Sequence, residues 1–297
     1  MTIRTEKNEL NFENLDIENK ELFPQFLIER NKWLSWFEND LEHSITNQIY
    51  RMLWDDAVFR LINEMRRIKI NSQTESTGIN TDVSHFIDRG YVNLQATSVR
   101  SLIGKREDVI SLSRVIKDFK KNIILVTREN YVCFDGLKFN PNANETDLKE
   151  IFTIERHKSF DRLCGNQGKK KQRNDLINPK IFAKLTNELN KCNDIKKFTD
   201  KFIAHKADST SLKNLVNDQL GVTLDRVSQC HQAILGVANF IYSDFLGECT
   251  LGGIPTPQYD LFEELNKPWI TKEHFDDLGH FYHAHTKKIE KMLDFKI

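Results

Sequence analysis

The segment 197–208, "KFTDKFIAHKAD", places a histidine beside acidic and basic side chains in a run with helical spacing. His205 is preceded by Lys201 at four residues and by Asp200 at five. A histidine titrates near neutral pH, so it is the side chain best suited to move protons in catalysis. The alternative is an ordinary histidine at the C-terminal end of a helix, where the helix dipole favours positive charge.

A second candidate site is the loop 164–175, "CGNQGKKKQRND", which combines two glycines with four basic residues. Clusters of this kind bind phosphate backbones without reading base sequence, which makes the loop a candidate RNA contact. The alternative is a solvated surface loop, because charged runs are common on protein surfaces. The basic residues of the loop are Lys169, Lys170, Lys171 and Arg173, and those upstream are Arg156, His157, Lys158 and Arg162.

A third cluster is the "HFYHAH" stretch near the C-terminus. His280 and His283 would share a helix face, whereas His285 would point elsewhere. The carboxylate-rich spacing of helical metal sites is missing, so we expect a polar aromatic face that packs on the protein. We therefore predict no metal site and no cofactor.

Several common catalytic motifs are missing from the sequence. "GNQGK" lacks the spacing and the following Ser or Thr of a nucleotide-binding loop, and no G-x-S-x-G nucleophile motif occurs. The cysteines are odd in number and form no CxxC pair, which favours a reducing cytoplasm over a disulfide framework or a zinc site. They are Cys133, Cys164, Cys192, Cys230 and Cys249.

Composition is that of a globular protein with no bias toward one class of partner. The chain has 297 residues, of which 39% are hydrophobic and 29% charged, and its 43 basic residues balance its 43 acidic ones. A nucleic-acid site must therefore be a local patch. The N-terminus is polar, and no run approaches the roughly 18 apolar residues of a membrane span, so we expect a cytoplasmic protein without a membrane partner.

The elements that must position these residues are mostly helices. Apolar residues recur every four positions from Trp33 to Leu53, which predicts one long helix or two with a break near Asp55. Further helices are predicted up to Gly104, after Ser111, after Pro179, over 223–247 and over 271–294. Two short β-prone runs at 123–126 and 131–134 predict a hairpin near 122–135. The fold class is therefore all-α, a helical bundle with a small β-hairpin insertion.

The predicted organisation has three parts. Residues 1–22 form a polar N-terminal arm, and residues 23–250 form the helical domain that carries the hairpin. Residues 251–297 provide a linker, containing the breaker "TLGGIPTPQYD", and a helix that packs on the same domain.

The order of these elements resembles the HEPN-like family typified by abortive-infection (Abi) proteins of the U type, which protect bacteria against phage. The resemblance covers roughly residues 25–250, and its sharpest fragments are "DKFIAHKAD" and "VISLSRVIKDF". It implies an HEPN-like helical core that often dimerises, and in many members a metal-independent endoribonuclease. The motif of the family is an Arg, four to six further residues, and a His that acts on the ribose 2′-hydroxyl or the leaving oxygen.

His205 matches the motif histidine, but Phe198, Thr199 and Asp200 stand where the Arg is expected. The resemblance implies His205 as general acid or base. Lys201 lies one helical turn before it and could reach the same phosphate, and Asp200 and the 169–173 loop complete the candidate RNA site. Lys201 cannot make the bidentate contacts of an Arg.

An Arg from elsewhere in the fold would complete the site. Arg100, Arg106 and Arg114 are the candidates, and a homodimer mate is another source. The alternative is a catalytically degenerate HEPN-like module that dimerises or docks a protein partner.

Overall fold

The computed structural model describes residues 16–39, 42–72, 80–145, 147–165, 170–204, 222–252, 257, 258, 260, 263 and 271–292. Within them the chain forms ten α-helices: α1 (Leu22–Glu38), α2 (Ile45–Ser72), α3 (Thr81–Ile103), α4 (Leu112–Lys121), α5 (Arg128–Cys133), α6 (Leu148–Cys164), α7 (Lys180–Asn190), α8 (Asn193–Phe198), α9 (Leu224–Asn239) and α10 (Phe275–Met292). Short 3₁₀ turns cover Ile123–Leu125 and Lys272–His274, and π-helical turns cover Thr199–Ala204 and Phe240–Phe245.

The all-α prediction is confirmed. The only β-type pairing among the described residues is an isolated bridge between Thr127 and Leu176. None of the helices in the described ranges has both the length and the apolar composition of a membrane span.

The predicted hairpin near 122–135 is wrong, because a 3₁₀ turn and helix α5 occupy this region. The Thr127 side chain accepts a hydrogen bond from the backbone N–H of Asn130 and so caps α5. All six residues of α5 are buried. A short apolar run that is buried on every side has the same sequence pattern in a strand and in a helix, so periodicity could not distinguish the two here.

One aromatic core joins the N-terminal helices to the π-helical turn that follows α9. The Trp33 ring stacks on Phe119 with centroids 3.8 Å apart, and Phe119 meets Phe245 edge-on at 4.9 Å. Trp33 Nε1 also donates to Asp118 Oδ2 at 2.7 Å, so the buried indole keeps a polar partner. The break in the N-terminal helical region lies between Glu38 and Ile45, and α2 runs through Asp55 without interruption.

The helix start and stop residues behave as the sequence indicated. Ser111 caps α4 by accepting from the Arg114 N–H, Gly104 follows the end of α3, and α7 begins directly after Pro179. Helix α6 was not predicted. Its start is capped by Asp147, whose side chain accepts from the Glu150 N–H, but Leu148, Ile151 and Phe152 are exposed and obscure the apolar periodicity.

The two chain ends differ in how they meet the bundle. Of the predicted polar arm, residues 1–15 lie outside the described part, while Ile17 is buried and the Glu18 N–H donates to Glu129 Oε1 at 2.8 Å. Helix α10 exposes every residue whose burial is described except the half-buried Thr286, so its packing on the domain stays a prediction.

Candidate functional site

The site proposed from the sequence lies at the end of α8. This helix continues without a break into the π-helical turn Thr199–Ala204, which carries Asp200 and Lys201, both half-buried. Wide turns of this kind are rare and occur often at functional sites. His205 follows directly in the sequence and lies outside the described residues.

Arg100, one of the three arginines proposed to complete the site, lies beside this turn. Its Nε donates to Asp200 Oδ1 at 2.5 Å, although the two residues are 100 positions apart in the sequence. The side chains are 41% and 36% exposed, so the pair remains open to solvent on one side. A guanidinium held through Nε can still offer its terminal nitrogens to a phosphate.

The packing of α8 against α3 explains why Arg100 reaches this position. Thr199 is buried, and its hydroxyl lies 3.0 Å from the Ala96 carbonyl oxygen and 2.8 Å from that of Ile195. Arg100 follows Ala96 by four residues on α3, which places it one helical turn further along the same face. Because Thr199 faces the interior, an Arg at that position would be buried, and the cation beside Asp200 comes from α3 instead.

The surroundings of the pair are basic. Lys197 is exposed, Lys196 and Lys201 are half-buried, and all three lie on the same short helical segment as Asp200. The acidic residue nearest to Lys197 in the segment is Asp194, with a Lys197 Nζ to Asp194 Oδ1 distance of 4.0 Å. The local excess of positive charge suits a phosphate backbone even though the whole chain is neutral.

The basic loop is only partly available for RNA. Lys169 lies outside the described residues, Lys170 is exposed, and Lys171 Nζ is 3.5 Å from the Pro141 carbonyl oxygen. Arg173 instead holds the fold together: it contacts Asp16 at 2.8 Å, Glu18 at 3.1 Å and Glu129 at 2.5 Å. Three carboxylates around one guanidinium leave little net positive charge there, so among the described basic residues of this loop Lys170 is best placed to contact phosphate.

The basic residues upstream of the loop do not form a phosphate patch. Arg156 pairs with Asp135 at 2.9 Å, Lys158 with Glu155 at 2.7 Å, and Arg162 with Asp244 at 2.5 Å. His157 is fully buried on α6. Burial, together with the nearby charges of Lys171 and Arg128, lowers the pKa of His157 to about 4, so it is neutral at physiological pH.

A buried polar cluster around His231 lies between α2, α3 and α9. His231 Nε2 lies 2.9 Å from Gln95 Oε1, and its Nδ1 lies 3.8 Å from Asp56 Oδ2. Asp56 also accepts from Tyr91 at 2.6 Å and from Arg60 at 2.8 Å. Burial lowers the pKa of His231 against the opposing effect of Asp56.

His231 was missed as a candidate, although the spacing that identifies it is present in the sequence. Arg226 precedes His231 with four residues between them, which satisfies the Arg-and-His motif of the HEPN-like family. However, His231 is buried and its ring is held between Gln95 and Asp56. This geometry favours a structural histidine over one that meets RNA.

The C-terminal histidines lie on the surface and do not gather into a metal site. His274, His280, His283 and His285 are all exposed. Over the described ranges, no three His, Cys, Asp or Glu side chains are positioned to hold a metal ion. The packing of this polar aromatic face on the protein stays a prediction.

Comparisons with known proteins add no identification. No protein-family model, no curated protein and no solved structure matches this chain. A function for this protein is therefore inferred from the arrangement of the site itself.

Proposed function

We propose that this protein is an HEPN-like factor of bacterial phage defence that cleaves RNA as a metal-independent endoribonuclease. The observation that supports the proposal is the hydrogen bond between Arg100 and Asp200. This bond places an arginine beside Asp200, which precedes His205 by five residues. The segment before His205 lacks the arginine of the family motif, so Arg100 would take its role.

In this proposal each residue has a distinct task. His205 takes the proton of the ribose 2′-hydroxyl or protonates the leaving oxygen, which requires a group that titrates near neutral pH. Arg100 binds the scissile phosphate through its terminal nitrogens and stabilises the charge that develops there. Asp200 is a positioning residue, because its carboxylate fixes the guanidinium of Arg100. Lys201 adds a further positive charge.

RNA would be held by charge outside the reacting centre. Lys196 and Lys197 extend the positive surface along α8, and Lys170 with Lys169 would contact the backbone from the loop. Contacts of this type act on phosphates and carry no base specificity, so they predict salt-sensitive binding.

The experiment compares two arginines that were equal candidates in the sequence. Arg100→Ala and Arg106→Ala each remove one guanidinium, but Arg106 is exposed and pairs with Asp108 rather than with Asp200. Cleavage of total RNA is followed with EDTA present. We expect Arg100→Ala to slow cleavage about 10²–10³-fold, the usual loss when one transition-state donor is removed, and Arg106→Ala to leave it unchanged. Equal rates for the two variants would contradict the role of Arg100.

A second candidate function is a non-catalytic interaction module. The observation that favours it is the row of exposed apolar side chains on α10, since surfaces of this kind mark protein interaction sites. In this alternative the Arg100–Asp200 pair is a surface ion pair with no chemical role. A folded wild-type protein that leaves RNA intact under all salt conditions would favour this alternative.

A further inference from the structure

Helix α10 carries its exposed apolar side chains at heptad spacing. The apolar residues of this stripe follow one another at steps of three, four, seven and three residues: Phe275, Leu278, Tyr282, Ile289 and Met292. His285 occupies the remaining heptad position, between Tyr282 and Ile289. These five apolar side chains are 46% to 71% exposed. A stripe with this period is the seam along which two helices pack in a coiled coil.

The seam is symmetric about the middle of the helix. The midpoint lies between His283 and Ala284, and each seam residue has a counterpart at the same distance on the other side. An antiparallel copy of the helix would therefore form six layers of three kinds, each occurring twice: Phe275 with Met292, Leu278 with Ile289, and Tyr282 with His285. Such pairing is isologous, as a two-fold symmetric dimer requires.

The charges on α10 favour the same orientation. Asp276 and Asp277 lie in its first turn, whereas Lys287 and Lys288 lie in its second half, and all four are exposed. An antiparallel partner brings the acidic turn of one helix toward the lysines of the other. A parallel partner would place like charges side by side, which is unfavourable. The opposed helix dipoles also favour the antiparallel arrangement.

We propose that α10 is a self-association helix that pairs antiparallel with α10 of a second copy of this chain. The helix has 18 residues, so it spans about 27 Å and fewer than three heptads. A pair this short buries less than the roughly 1,600 Å² of a standard interface. The dimer is therefore reversible, and its population rises with protein concentration. The helix lies outside the proposed RNA site, so the pairing is testable whether or not RNA is cleaved.

The first test measures dimerisation by sedimentation equilibrium over a range of protein concentrations. Leu278→Asp places a charge in the seam, and His280→Asp places the same charge on the opposite face of the same helix. We expect Leu278→Asp to raise the dimer dissociation constant at least tenfold and His280→Asp to leave it near the wild-type value. Both residues are exposed, so circular dichroism should show equally folded proteins. A wild-type protein that is monomeric throughout, or a Leu278→Asp protein that dimerises normally, would overturn the proposal.

The second test measures orientation by disulfide cross-linking. A Cys249→Ser background removes the exposed cysteine, and the other four are buried. Chains with Leu278→Cys are mixed with chains with Ile289→Cys in the presence of oxidised glutathione. The antiparallel register predicts a disulfide between the two different chains at several times the yield of either chain alone. Preferential cross-linking of Leu278→Cys chains to each other would show a parallel pair and overturn the proposed arrangement.

Discussion

Arg100 on α3 donates its Nε–H to Asp200 on the π-helical turn after α8, at 2.5 Å. This bond connects two parts of the chain that the sequence alone could not relate. It also gives the segment before His205 the arginine that its own sequence lacks. The proposed activity depends on this pair acting as a unit.

The first prediction concerns the coupling between the two residues. Asp200→Ala should slow RNA cleavage about tenfold, because an unrestrained guanidinium meets the phosphate less often in the productive geometry. In an Arg100→Ala protein the same substitution should have almost no further effect. The double-mutant cycle compares single-turnover cleavage rates of the wild type, the two single variants and the double variant. Additive effects would show that Asp200 does not act through Arg100. Stability should change by less than about 1 kcal/mol, since the pair is partly exposed.

The second prediction separates His205, the proposed catalytic histidine, from His231, which fits the family spacing. His231→Ala removes the partner of the buried Gln95 amide and leaves a cavity, so it should lower stability by about 2–4 kcal/mol. Below its melting temperature the folded variant should still cleave RNA. His205→Ala should abolish cleavage and move the melting temperature by only a few degrees, equivalent to about 1 kcal/mol. Melting and cleavage are measured on one preparation of each variant. Loss of cleavage in a stable His231→Ala protein, with cleavage retained in His205→Ala, would identify His231 as the catalytic histidine.

The third prediction is a loss of stability in mild acid caused by His157. Its pKa is about 4 in the fold and 6.5 in its ordinary state, so the unfolded chain takes up the proton first as the pH falls. The resulting loss of folding free energy is small at pH 7 and grows steadily as the pH falls to 4. At pH 4.5 it should reach about 2–3 kcal/mol.

The control for this effect is His157→Phe, which keeps a buried ring without a titrating group. Urea denaturation of the two proteins at pH 7 and pH 4.5 isolates the histidine from the carboxylates, which titrate in both. The wild type should lose about 2–3 kcal/mol more than the variant across this interval. Parallel losses would show that the His157 ring is solvated in the folded state.

The fourth prediction distinguishes the structural and RNA-binding parts of the basic loop. Arg173→Ala leaves the buried Glu129 carboxylate without its closest ion-pair partner, so stability should fall by about 2–4 kcal/mol. Lys170→Ala should change stability by less than about 0.5 kcal/mol. It should also reduce the slope of the logarithm of RNA affinity against that of salt concentration by about 0.7, the loss of one phosphate contact. An unchanged salt slope for Lys170→Ala would show that Lys170 does not contact RNA phosphate and would contradict the assignment of this loop to the RNA-binding surface.

Local features were predictable from the sequence wherever one residue type fixes the local geometry. Ser111 and Pro179 mark helix starts because hydroxyl capping and the missing proline N–H act within a few residues. Gly104 marks the end of α3 as predicted, although its backbone there is extended, with φ −58° and ψ 143°. The hairpin prediction failed at Ile123 because short apolar runs suit strands and buried turns equally. Helix α6 was missed because Phe152, an exposed apolar residue, obscures its stripe.

The candidate site was only partly predictable for a different reason. Asp200 and Lys201 were found from their spacing to His205, which is a local property. The choice of Arg100 over Arg106 and Arg114 depends on how α3 packs against α8, through contacts such as that of Thr199 with the Ala96 carbonyl group. Contacts between residues 100 positions apart follow from the whole fold, so no local pattern ranks the three arginines.

The most direct test of the proposed activity is an analysis of the RNA ends that the purified protein produces in EDTA. Attack by a 2′-hydroxyl on the adjacent phosphate needs no metal and leaves a 2′,3′-cyclic phosphate, or the phosphate from its opening, and a 5′-hydroxyl. We predict these ends with the wild-type protein and intact RNA with His205→Ala. Intact RNA with the folded wild-type protein, or fragments that carry 3′-hydroxyl and 5′-phosphate ends, would contradict the account.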